Sequence, residues 1–249
     1  MSVLARGMSA VREGRILSGI SKRIVEACGP YVHWERATNP TAADLAIQDA
    51  FARPSDLPRQ VTDIDGMSGR RYRRTINSLI KSTPDARYLE IGSWAGSTAV
   101  AAMYGNAVAA TCIDDWSNFG GPRDTFNANV SSILTPRIDF RMIEKDFRAV
   151  AYDAIGKFNV YLFDGPHEEQ DHYDGLAMVW PALDETFTLI VDDWNWSCVR
   201  TGTLRALKDA GASISSSVAV RTTLNDAHPC RGGKDSDWHN GCFFAVVER

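Results

Sequence analysis

No apolar run in the 249 residues approaches the ~18 needed to span a membrane, so a membrane protein is not expected. The amino terminus lacks the compact apolar core of a secretory signal, and the five cysteines contain no C-x-x-C pair. Scattered thiols in odd number fit a reducing cytoplasm. Positive charge is not in excess either: the formal net charge is -4, which gives no electrostatic reason to expect a nucleic acid or an anionic membrane as partner. Hydrophobic content of 44% and charged content of 23% are ordinary for a globular protein. The length suits one α/β domain with an amino-terminal extension.

Two nucleotide fingerprints are also missing. Tyr88-Leu89-Glu90-Ile91 is a short apolar run, Gly92 and Gly96 bracket a turn, and Ser97 to Met103 reads as a helix. Strand, glycine turn and helix form the first unit of an open α/β sheet, with a ligand expected where the turn meets the helix. A dinucleotide motif needs a glycine where Trp94 stands, and a Walker loop needs a lysine that does not follow Gly96. The surviving pattern is E-x-G-x-x-x-G, and Glu90 ahead of the turn suits an ammonium- or sulfonium-bearing ligand better than a phosphate. A glycine turn in an ordinary βα loop is the competing reading.

Residues 1–60 stand apart as a helical extension. Leu4, Met8, Val11, Leu17, Ile20 and Ile24 fall near helical spacing, so Val3 to Ala27 is expected to be an amphipathic helix with a basic face. That face is either solvated, a homo-oligomer contact or a lid. A short helix is expected from Ala42 to Phe51, then a linker marked by Pro54 and Pro58. From residue 61 to 249 helices and strands alternate. Helices are expected at Arg70–Lys81, Arg123–Ser132, Glu168–Trp180 and Arg200–Ala210. Strands are expected at Val108–Ile113, Ile138–Ile143, Val160–Phe163, Phe187–Val191, Ser215–Val220 and Cys242–Val247, the last antiparallel. The expected fold is α/β: a doubly wound, Rossmann-like, mostly parallel seven-stranded sheet with helices on both faces. Arg70, Arg71, Arg73 and Arg74 read as a solvated first helical turn, with a phosphate grip as the competitor.

Acids recur just past the strands. Asp114 lies about 20 residues beyond Gly92, the offset at which a carboxylate accepts from ribose hydroxyls. Asp115 and Trp116 follow it, and Asp146-Phe147 after the third strand suits an adenine amino group and ring. Asp164, Asp192 and Asp193 come from neighbouring strand ends; three carboxylates at one point call for a hard cation such as Mg²⁺. Trp94, Trp116, Trp194 and Trp196 cluster at the same ends, where an indole face attracts a cationic ligand. His167 reads either as a base or as a solvent-exposed histidine opening a helix; His172 is expected on that helix's outer face. His228, Cys230, His239 and Cys242 have zinc-type ligand atoms at a spacing that matches no common finger.

The E-x-G-x-x-x-G turn with Asp114 resembles the first motifs of class I S-adenosylmethionine-dependent methyltransferases. Asp164 with His167, followed by Asp192-Asp193, is similar to the metal-dependent small-molecule O-methyltransferases, of the catechol type and, more closely, the sugar-methylating type. The resemblance covers roughly Asp65 to Val220. It implies S-adenosylmethionine held by Glu90, Gly92, Ser93, Trp94, Gly96, Ser97, Asp114, Asp115, Trp116, Asp146 and Phe147. It also implies Mg²⁺ on Asp164, Asp192 and Asp193, and His167 with Asp164 as the catalytic pair. In the catechol type a Lys fills the slot of His167 and an Asn that of Asp193. The acceptor implied is a hydroxyl of a small molecule. Two other classes compete: a non-catalytic binding module on the same fold, and a metal-dependent nucleotide-sugar transferase using Asp192-Asp193.

Overall fold

The computed structural model describes residues 29–249; the expected helix Val3 to Ala27 lies outside these residues. Eight strands form one sheet: β1 (Tyr31–Glu35), β2 (Arg87–Ile91), β3 (Val108–Asp114), β4 (Ile138–Glu144), β5 (Phe158–Phe163), β6 (Leu183–Asp192), β7 (Ser213–Arg221) and β8 (Cys242–Glu248). Their order is β1-β7-β8-β6-β5-β2-β3-β4. The block β6-β5-β2-β3-β4 is parallel. β8 runs antiparallel to both β6 and β7, as expected, and β1 antiparallel to β7. The sheet therefore has one strand more than expected. The extra one, β1, is a five-residue edge strand inside what reads from sequence as a helical extension; alone it carries too few residues to show an alternation.

The helices are α1 (Ala42–Ala52), α2 (Arg59–Thr62), α3 (Arg70–Ser82), α4 (Ser97–Met103), α5 (Arg123–Ser131), α6 (Glu169–Ala177) and α7 (Ser197–Asp209). Strand residues alternate between two cores, as a pleated sheet covered on both faces requires. Tyr88, Ala110, Cys112, Val160, Leu162 and Ile190 face the layer of α1, α3, α4 and α5. Leu89, Ile113, Tyr161, Phe163, Leu189 and Val191 face that of α6 and α7.

Local chemistry explains the helix starts. Thr41 and Asp44 form a reciprocal capping box at α1: the Asp44 amide donates to Thr41 Oγ1 and the Thr41 amide to Asp44 Oδ2. Asp44 Oδ1 also accepts from Ser215 and Ser216, which fastens α1 to β7. Glu168 and Asp171 box the start of α6 in the same way. β2 lies between β3 and β5, so the chain leaves the central strand in opposite directions on its two sides. That topological switch point opens a crevice at the carboxyl ends.

Candidate active site

A cleft of about 420 Å³ fills this crevice, lined by Gly92 and Trp94, by Asp114 and Phe119, and by Asp164 and His167 among others. Its floor is the glycine turn. Gly92 and Gly96 both have positive φ, at 83° and 84°. A Cβ on Gly92 would lie 1.9 Å from the Asp164 carbonyl oxygen, so the glycine lets the ends of β2 and β5 touch. The close approach is between strands; in sequence it reads as room for a ligand.

Trp94 and Trp116 also adopt positive φ, 44° and 59°, a conformation costly for bulky residues. One side chain stabilises both. Asp114 Oδ2 accepts from the Trp94 amide at 2.9 Å and Oδ1 from the Trp116 amide at 2.8 Å. The Trp94 indole donates to the Phe119 carbonyl at 3.0 Å, closing the 116–122 loop over the cleft. Asp115 is exposed, lines the cleft, and accepts from the amide and hydroxyl of Ser117. Asp146 lines it too and caps a short turn by accepting from the Arg148 amide. Phe147 beside it is buried edge-on against Phe163 and faces the cleft.

Four of the expected cofactor residues stand behind the turn. Glu90 is fully buried and accepts from the hydroxyls of Tyr88 and Thr98. Burial raises its pKa to about 7, against the opposing hydrogen bonds. Ser93, Gly96 and Ser97 are buried around it and do not line the cleft. Trp116 turns its ring onto Phe126 at 5.2 Å. Of the other tryptophans, Trp194 is buried and stacked on Phe243 at 4.2 Å. Trp196 remains near the mouth, edge-on to His167 and His228.

At the other end of the cleft Asp164, His167 and Asp193 offer ligand atoms within 4.8 Å of one another. His167 Nε2 lies 2.8 Å from Asp193 Oδ2, and Asn240 donates to Asp193 Oδ1 at 2.7 Å. Burial alone would lower the His167 pKa, but the hydrogen bond and charge of Asp193 raise it overall. Asp193 moves the opposite way: burial would raise its pKa, while His167 and Asn240 hold it below the usual value. Its φ of 56° is another left-handed non-glycine, turning the carboxylate toward His167. Asp164 and Asp192 are both pushed well above the carboxylate range, by burial first and by neighbouring carboxylates second. Asp192 Oδ1 is buried with no hydrogen-bond partner.

His172 is buried, not on an outer face: it packs edge-on to Phe163 at 4.9 Å, with neither ring nitrogen bonded. Among the described residues, the one cluster of His, Cys, Asp or Glu close enough to hold an ion is that of Asp164, His167 and Asp193. The zinc spacing does not assemble; Cys242 is buried on β8, and His239 Nδ1 accepts from the Gly233 amide. Asn240 escaped the sequence reading because it reaches Asp193 from a loop 47 residues downstream. That loop is fastened by Asn195, whose Oδ1 accepts from the amides of Thr222 and Thr223.

Residues 89–194 match a family model described as a methyltransferase domain. The match covers less than half of the chain. The matched segment runs from the glycine turn through Asp164, His167 and Asp193, so it contains both ends of the cleft. No curated protein matches the chain. Solved structures resemble the chain at low identity and with TM-scores under 0.5. TrmN from Thermus thermophilus is 17% identical, with 72% of this chain and 48% of that chain covered, at a TM-score of 0.46. The O-methyltransferase TomG from Streptomyces achromogenes, in complex with SAM, is 12% identical, covering 86% and 92%, at 0.47. An O-methyltransferase from Bacillus cereus in complex with SAH is 13% identical, covering 84% and 92%, at 0.46. The chain spans about half the length of TrmN. No helix of the described residues is long and apolar enough to cross a membrane.

Proposed function

We propose that the protein transfers a methyl group from S-adenosylmethionine to a hydroxyl of a small molecule such as a sugar or natural product, assisted by Mg²⁺. One observation carries this reading: the cleft over the glycine turn ends on the Asp164–His167–Asp193 cluster, so a ligand in the cleft would present its reactive end to a base and two carboxylates. The adenosine moiety would lie along Asp114, Asp115, Asp146 and Phe147, with the sulfonium toward Asp164. Glu90 acts from behind, as a buried brace of the turn. Scattered thiols, with Cys112, Cys198 and Cys242 free, suit the cytoplasm. Residues 1–60 would serve as an extension forming a lid or an oligomer contact.

The donor set fits a divalent cation. Asp164, His167 and Asp193 offer ligand atoms within 4.8 Å of one another, and Asp192 beside them keeps a buried oxygen without a partner, a set of hard donors that suits a cation. Asp164, Asp192 and Asp193 would hold it, and when bound it would acidify the acceptor hydroxyl. His167 supplies the base. With Nε2 turned to Asp193, Nδ1 is left to take the acceptor proton, and the carboxylate stabilises the imidazolium that forms. The cleft walls align donor and acceptor for an in-line displacement.

Calorimetric titration with S-adenosylmethionine, NAD⁺ and a sugar nucleotide, each with and without Mg²⁺, tests the assignment. Binding of S-adenosylmethionine alone among the three is expected. A preference for the sugar nucleotide would move the protein to the transferase class. S-adenosylmethionine binding without turnover of any hydroxylated acceptor would favour a binding module.

A further inference from the structure

Arg73 is the largest fully buried side chain among the described residues, and none of its hydrogen-bond partners is a carboxylate. Nη1 donates to the carbonyls of Ile64 at 2.7 Å, Thr62 at 3.1 Å and Val61 at 3.4 Å, and Nη2 to that of Gly66 at 3.4 Å. Nε donates to Ser68 Oγ at 2.8 Å. Burial lowers its pKa to about 10, so it stays charged at neutral pH. A guanidinium taken out of water with no carboxylate in contact, only the charges of Asp63 and Asp65 nearby, is costly, and here its hydrogen-bonding capacity goes to the connector 61–68.

That connector lies on the glycine turn. Ser68 Oγ and Ser97 Oγ are 2.8 Å apart, and both residues are buried. Ser68 already accepts from Arg73, so its own proton is available to Ser97, which opens α4. A Cβ on Gly66 would come within 2.3 Å of Ser97 Oγ, so the connector and the first turn of α4 are in close contact. The neighbouring Met67 reaches the cleft wall.

We propose that Arg73 is a positioning residue: through the connector carbonyls and the Ser68–Ser97 hydrogen bond it holds the glycine turn in its ligand-ready shape. The consequence for cofactor affinity rests on the reading of the cleft given above, whereas the mechanical part does not. The four arginines at the start of α3 thus divide. Arg70 pairs with Asp63, Arg71 lies over Trp238 and Arg74 sits near Asp56, while Arg73 turns inward.

Ser68→Ala is the decisive variant, because it cuts the link to Ser97 and leaves the connector carbonyls bonded to Arg73. Amide hydrogen exchange of the ligand-free protein should quicken about tenfold over residues 95–100 in Ser68→Ala and in Arg73→Lys, whose ammonium cannot reach all the acceptors. S-adenosylmethionine affinity should fall by about three- to tenfold in Ser68→Ala. The double variant Ser68→Ala/Ser97→Ala should be no worse than the weaker single one. Unchanged exchange at the turn in both variants, or additive effects of the two serines, would overturn the proposal. A wild-type protein with no S-adenosylmethionine affinity would sink the cofactor reading alone, and the exchange data would still decide the role of Arg73.

Discussion

At the β3 and β4 ends of the crevice the carboxylates of Asp114, Asp115 and Asp146 are occupied by nearby backbone amides, whereas at the β5 and β6 ends Asp164 and Asp192 crowd one another with an oxygen left unpartnered. The same residue type does opposite things in the two halves. In the first, each acid shapes a loop: Asp114 stabilises two left-handed tryptophans, and what remains of its hydrogen-bonding capacity is available to a neutral hydroxyl. In the second, Asp192 and Asp193 raise the pKa of Asp164 and Asp193 raises that of Asp192, while Asp193 alone is held low by His167 and Asn240. Paired acids suit a neutral, hydroxyl-rich ligand, and crowded ones suit a cation. The comparison predicts that substitutions in the two halves will separate shape from charge.

The largest effect is expected at the seam between the halves. Gly92→Val puts a Cβ into the Asp164 backbone and forces a β-branched residue to positive φ. The loss of stability should be on the order of 3 kcal/mol or more, with cofactor binding abolished. Thermal unfolding and calorimetry should therefore fail together. A variant that unfolds like wild type would show that the two strand ends are not in contact.

His167→Ala comes next and should lower turnover by ~10²–10⁴-fold while S-adenosylmethionine affinity stays nearly unchanged. Turnover within about threefold of wild type would pass the base role to an aspartate or to metal-activated chemistry. A chelator should stop the reaction in wild type and Mg²⁺ should restore it; full activity in chelator would remove the metal from the proposal.

Much of the parallel half of the sheet was legible in the sequence. Val108 to Ile113 and Val160 to Phe163 are apolar runs bounded by turns, and the acids beyond them mark the carboxyl ends. Less legible were features made by long-range contact. Arg73 looks in sequence like Arg70, Arg71 and Arg74, which stay exposed or half-buried, because only the carbonyls of residues 61–66 make its burial tolerable. The strand Tyr31–Glu35 exists because β7, 190 residues later at Arg221, offers it a partner. His172 has the spacing of a surface residue but faces Phe163 and Gly202, where α6 and α7 pack closely.

His172 should make its mark in acid. Burial lowers its pKa from 6.5 to about 4, so between those values the unfolded chain binds a proton that the native state refuses. Its contribution to stability is full above pH 6.5 and is lost as pH falls toward 4, by up to ~3 kcal/mol. His172→Leu should remove that part of the acid sensitivity. Urea unfolding at pH 7.5 and pH 5 checks it: the gap between the two should shrink in the variant, and an equal gap in both proteins would refute the assignment.

Asp192→Asn should have the smallest effect and probe the comparison most directly. Asp192 is buried, its pKa is raised by burial and by Asp193, and its Oδ1 has no partner. A carboxyl whose folded pKa lies above its unfolded value loses stability as pH climbs past the unfolded value. At neutral pH the charge therefore weighs against the ligand-free fold. The amide keeps the shape and removes the charge, so the variant should be more stable by about 1–2 kcal/mol, a rise in Tm of roughly 2–8 °C at this chain length. Asp114→Asn, in the half where the carboxylate is already satisfied, should instead lower Tm, since the amide nitrogen cannot accept from one of the two tryptophan amides. The stabilisation of Asp192→Asn should come with a loss: Mg²⁺ should raise the Tm of wild type and leave the variant unmoved. If Mg²⁺ shifts both proteins equally, Asp192 is no part of a cation site, and the crowding of acids at the β5 and β6 ends would need another explanation.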